Sequence, residues 1–138
     1  MPTGSNKTSS EQAIVDALKN KLSAVAETRM GYSATGIDDD MPTPAILVQL
    51  ETLTELSRQG EKGRFELQFN IGAVVKTSDQ TTSELISLTR QLRAALNPAD
   101  KLCPDARKQT LSDTRFDIAP SHGQLSFADS TLTVEAIL

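Results

Sequence analysis

The run Phe65-Glu66-Leu67-Gln68-Phe69-Asn70-Ile71 constrains this chain more than any other segment. Large apolar residues hold alternate positions and polar residues fill the positions between, so an extended backbone places every apolar side chain on one side. A helix would spread the same residues around its circumference. The segment therefore predicts a strand with one buried and one wettable face, and the buried face requires an amphipathic layer from elsewhere in the sequence.

Two segments supply that layer. Ile14, Val15, Leu18, Leu22 and Val25 recur at helical spacing, with Asp16, Lys19, Asn20, Lys21 and Ser23 on other faces. Ser9 and Gln12 are spaced as a capping box at its start, and the reading runs the helix on to Met30-Gly31, where glycine can close it. The second stripe is Leu85, Leu88, Leu92 and Leu96, joined by Ile86. Thr81 and Glu84 form a second capping-box pattern, and Asn97-Pro98 stops the helix.

Further strands surround the first. Ala45 to Thr54 is rich in aliphatic and β-branched residues and begins apolar on both faces, which predicts a central strand. The polar stretch Ser57 to Gly63 reads as a hairpin connection to the Phe65 strand, and Gly72 reads as a bulge or bend. The segments Gly31 to Pro44 and Ala99 to Asp113 read as loops. Arg115 to Ile118 and Leu125 to Phe127 alternate, Pro120 to Gly123 breaks between them, and Leu132, Val134, Ala136 and Leu138 share a closing strand face. The fold class expected is α+β in two layers, a mostly antiparallel sheet with two helices packed on one face. Residues 1–8 read as a polar leader and 9–138 as a single domain, within the size range of one core.

The residues that carry chemistry are few. His122 is the only histidine, in Pro120-Ser121-His122-Gly123, and reads as a solvent-exposed turn residue, because a general base needs a nucleophile and an orienting acid beside it. Cys103 is the only cysteine, which excludes an intramolecular disulfide and a thiolate metal cage and fits a reducing compartment. Asp38, Asp39 and Asp40 crowd carboxylates together, yet Met41-Pro42-Thr43-Pro44 follows where a calcium loop needs alternating ligands and a distal glutamate. No Walker or GxGxxG pattern occurs. Catalytic, cofactor and metal sites are accordingly not expected.

With 14 Lys and Arg against 18 Asp and Glu, net charge -4 and scattered cations, neither nucleic acid nor an anionic membrane is an expected partner. No apolar run is long enough to span a bilayer, and the N-terminus has no secretory apolar core, so a cytoplasmic location is expected. Arg58, Lys62 and Arg64 gather around the first hairpin with no aromatic residue among them for base stacking. The acidic run Asp38 to Asp40 and this basic tip are the candidate subunit-interface residues, since head-to-tail assembly needs two different, complementary surfaces.

The order of elements carries a resemblance. An amphipathic helix leads through Met41-Pro42-Thr43-Pro44-Ala45-Ile46-Leu47-Val48 into a long strand, then a hairpin into Phe65 to Ile71, a Leu-striped helix from Thr81 to Leu96, and closing strands. This succession resembles the tail terminator, or tail-completion, proteins of long-tailed phages and prophages, over about residues 10 to 138. The resemblance implies a non-enzymatic minor tail protein whose copies close into a ring, commonly sixfold, on the tail tube protein. Such a ring ends tail polymerisation and gives the head-completion protein a surface to join. That family has no motif through which a functional residue can be carried over. A second reading from the same residues is a cytoplasmic, non-enzymatic binding module, dimeric through strand pairing, with a small hydrolase or isomerase third.

Overall fold

The computed structural model describes residues 10–31, 42–104 and 106–138. The elements run α1 (Ser10–Ser23), β1 (Glu27–Met30), β2 (Ala45–Gln59), β3 (Lys62–Lys76), α2 (Thr81–Ala95), β4 (Ala106–Leu111), β5 (Arg115–Asp117) and β6 (Leu125–Ile137). One sheet holds all six strands in the order β1-β2-β3-β6-β4, and β5 lies beside β4 along the same flank of β6. Every pairing is antiparallel except β1 with β2. This is the α+β, mostly antiparallel arrangement expected.

The alternation of β3 becomes the core as anticipated. Leu67, Phe69, Ile71, Ala73 and Val75 form one cluster with Ile14, Leu18 and Leu22 of α1 and Leu85, Leu88, Leu92 and Leu96 of α2. Both helices therefore cover one face of the sheet. The cross-strand partners continue the layer: Val134 lies opposite Leu67, and Leu132 opposite Phe69. A smaller cluster of Ala45, Leu47, Val74 and Leu125 lies on the reverse face, where β2 and β3 are apolar on both sides. Beyond it that face is polar, carrying Thr52, Thr54, Gln68, Asn70, Thr131 and Thr133 in register.

Several expectations are corrected. The first helix stops at Ser23, well short of Met30, and Glu27–Met30 is a strand parallel to Ala45–Val48. Those β2 residues are wholly buried, so their outer backbone groups need partners, and this need overrides the helical propensity of Ala24 to Met30. Gly31 does adopt the left-handed conformation, φ +84, but it ends β1 and donates its N–H to the Val48 carbonyl. Ser9, half of the first expected capping box, lies outside the described residues.

The second capping box is displaced. Gln80 is the N-cap and makes no side-chain cap, while Thr81 is already helical. Thr81 Oγ1 instead accepts from the Ser78 N–H at 2.6 Å and donates to the Ser78 carbonyl at 2.8 Å. Ala99 to Asp113 is not one irregular loop, because it contains β4. Gly72 marks no bulge: the irregularities fall on β2, between Leu50 and Thr52 and between Glu55 and Ser57. Gly72 instead leaves room for Asp129, since a Cβ there would sit 2.8 Å from Asp129 Oδ1 and oblige that side chain to shift. The closing strands expected at Leu125–Phe127 and Leu132–Leu138 are one continuous strand, β6.

Candidate assembly surface

Among the described residues, no three metal-ligating side chains come together. His122 is exposed, its Nε2 lying 3.2 Å from Asp79 Oδ1 on a neighbouring exposed turn, and Cys103 is a half-buried free thiol beside the core. No described helix is long and apolar enough to cross a membrane.

The basic residues chosen from the sequence do meet at one end of the molecule. The β2–β3 hairpin sets Arg58 opposite Gly63, Ser57 opposite Arg64 and Gln59 opposite Lys62. Two of the cations are already engaged: Arg58 Nε donates to Glu55 Oε2 at 2.6 Å, and Arg64 Nε to Glu135 Oε1 at 2.6 Å. These pairs are exposed and each contributes at most about 1 kcal/mol. Lys62 has no ion pair among the described residues and lines a shallow groove with Glu61, Arg64 and Ile137. Asp38, Asp39 and Asp40 lie outside the described residues.

What charge did not reveal is an apolar row on the same hairpin. Leu50, Leu53 and Leu56 are exposed by 42%, 47% and 46%. Residues three apart in a regular strand point to opposite faces, but the first β2 bulge resets the alternation. Leu50 thus lies opposite Phe69 and Leu53 opposite Leu67, both on the helix side of the sheet. Leu56 sits in the second bulge. β1 accompanies β2 only from Ala45 to Val48, so the outer edge of Gln49–Gln59 has no strand partner among the described residues.

The opposite flank of the sheet is also open. Beside β4, a groove of about 550 Å³ is bounded by Arg93, Leu96 and Pro98 at the end of α2 and by Arg107, Lys108 and Leu111 of β4. Arg93 donates to the Ser112 and Leu111 carbonyls and to Thr114 Oγ1. No carboxylate pairs with Arg93, Arg107 or Lys108 among the described residues. Phe116 of β5, farther along this flank, is exposed as well.

One half-buried carboxylate interrupts the polar face. Asp129 projects over Gly72, and its Oδ1 accepts no hydrogen bond among the described residues. Burial pushes its carboxyl above the usual aspartate value of 3.8; Asp117 adds to the rise, Arg115 opposes it, and Glu51 adds again. A folded-state pKa above the unfolded value means that the protonated form favours folding. That contribution is complete below the ordinary aspartate pKa and is lost as pH rises through the raised value. Asp129→Asn is therefore expected to raise the thermal midpoint at neutral pH, with a gain that shrinks as pH falls through the raised value and is gone below 3.8. A gain that stays constant across a pH series of thermal melts would contradict this account.

Comparison with known proteins bears on the fold. The sequence matches no protein-family model, and no curated protein matches it. The structure is similar to a chain in the solved structure described as the virion of a native gene transfer agent (GTA) particle, with a TM-score of 0.57. The similarity covers 93% of this chain and 94% of that one at 12% identity, so it extends over the whole fold and does not reach individual residues.

Proposed function

We propose that this chain is a structural component of a phage-like particle, a tail terminator whose copies close into a ring on the tail tube. The ring ends tube polymerisation and offers the head a joining surface. The observation that carries this reading is the end-to-end likeness of the fold to a chain of a virion particle. The order of elements that resembles tail terminators supports it, as does a sheet with both flanks open among the described residues. In this role the protein does no chemistry, and its partners are further copies of itself, the tail tube protein and the head-completion protein. Asp38 to Asp40 and the hairpin cations Arg58, Lys62 and Arg64 are proposed contacts between copies.

Light scattering on the purified chain tests the reading, with an expected mass near six times 14.9 kDa, either alone or once tail tubes are added. Co-expression with the tube protein of the same genome is expected to yield tubes of defined length with a ring at one end. Overlong tubes without a cap would sink the proposal. Reversing the charge of Arg58, Lys62 and Arg64 together is expected to weaken the ring, and an unaffected ring removes those residues from the interface. The open β2 edge also favours a strand-paired binding module, for which the mass would be near two subunits.

A further inference from the structure

The outer edge of β2 and the outer edge of β4 differ in shape and charge, and they fit one another. The arm Gln49–Gln59 offers backbone groups with no strand partner among the described residues, exposed Leu50 and Leu53 on its helix side, and the carboxylates Glu51 and Glu55, the latter held by Arg58. The other flank offers a second line of backbone with no strand partner among the described residues, running beside Phe127 to Ala136 of β6 and thus about as long as the arm, with Arg93 already on its Leu111 and Ser112 carbonyls. On its helix side lies the groove under the end of α2, and at that edge Arg93, Arg107 and Lys108 have no carboxylate partner among the described residues.

We propose that copies of this chain join edge to edge, β2 of one copy adding as a strand beside β4 of the next. A strand placed there continues the sheet, so its helix-side residues fall beneath the end of α2. Leu50 and Leu53 enter the groove against Leu96, Pro98 and Leu111. Glu51 comes within reach of Arg107 and Lys108, Glu55 exchanges Arg58 for one of them, and the joined backbones satisfy donors and acceptors that have no strand partner among the described residues of the single copy. Two unlike edges make a heterologous contact, which propagates until it closes. The inference rests on the ring reading for its closure, but the edge contact itself is separable from any role on a tail tube.

Three double variants test it by light scattering and analytical ultracentrifugation, with and without tail tubes. Leu50→Lys/Leu53→Lys replaces exposed residues, so the fold should be retained by circular dichroism while association weakens at least about tenfold. Glu51→Lys/Glu55→Lys and Arg107→Glu/Lys108→Glu should each assemble poorly alone. Mixed, they should recover assembly in alternating order, because each altered edge then meets its complement. Recovery on mixing establishes the pairing even if the complex never caps a tube, in which case the terminator reading alone fails. A wild-type ring that forms while all three variants also form it overturns the edge contact and leaves the terminator reading standing. A chain that stays monomeric with and without tubes, or a symmetric dimer, also overturns it.

Discussion

Phe69→Ala is expected to lower the free energy of unfolding by about 3–5 kcal/mol, a large part of what a domain of this size possesses. Phe69 is wholly inaccessible and is the largest side chain so buried. It stands in mid-sheet, opposite Leu132 on one side and Leu50 on the other, in the layer shared by both helices. The composition sharpens the effect. There is no Trp and only four Phe, and of these Phe116 is exposed while Phe65 and Phe127 are half-buried. Among the described residues no second buried aromatic can swing into the space, and the surrounding Leu and Ile side chains belong to strands and helices that collapse only partly. Phe69→Leu, which retains a large apolar side chain, should cost roughly 1 to 2 kcal/mol. Urea denaturation of both variants measures the difference; a loss below about 1 kcal/mol for the alanine would show that the two layers close over the gap.

The features that make Phe69 consequential were readable before any coordinates. The Phe65–Ile71 alternation and the stripes Leu85/Leu88/Leu92/Leu96 and Ile14/Leu18/Leu22 each obey a single period, and a period is a local property that tertiary context seldom overturns once it fills a whole face. β1 and β4 were not readable, for opposite reasons. Val25, Ala26 and Met30 suit a helix as well as a strand, and the choice is made far away in sequence, by the buried edge of Ala45–Val48. β4 hides its alternation, because a glutamine occupies an inward position between Ala106 and Leu111 and a bulge at Arg107 shifts the phase.

The assembly surface divides in the same way. Arg58, Lys62 and Arg64 stand out as charge in the sequence, whereas their neutralisation by Glu55 and Glu135 depends on pairing across strands, in one case over a separation of 71 residues. Leu50, Leu53 and Leu56 read as ordinary strand residues with a spacing of three, which in a regular strand would split them between faces. Only the bulges set Leu50 and Leu53 on one face, and a bulge in β2 is visible only against its partner strand. Asp129 falls between the alternations of Leu125–Phe127 and Leu132–Leu138, and its burial is decided only by its place midway along β6, facing Gly72 of β3.

The glutamine that concealed β4 also supports one wall of the proposed interface. Gln109 is 5% exposed, and its Nε2 lies 3.2 Å from the Leu96 carbonyl, 3.1 Å from that of Asn97 and 3.5 Å from that of Asp100. A helix leaves its last carbonyls without intrahelical donors, and here a strand residue supplies the missing N–H groups from the side. Gln109→Leu keeps the volume and removes the donor. The expected loss is about 1–3 kcal/mol, held toward the lower end because Gln109 Oε1 has no partner among the described residues and its removal relieves one buried acceptor. Gln109→Glu should do more harm at neutral pH: the same carbonyls would face a carboxylate, and burying that charge costs more than losing the bond. Such a glutamate would take up a proton, so its folded-state pKa would lie above the unfolded value and its stability penalty would grow as pH rises. Gln109→Leu should show no comparable pH trend. The same shift in the end of α2 would reshape the groove beside β4, so assembly should weaken in parallel with stability. Equal losses for the two variants at every pH would mean that Gln109 acts by filling space and not by capping the helix.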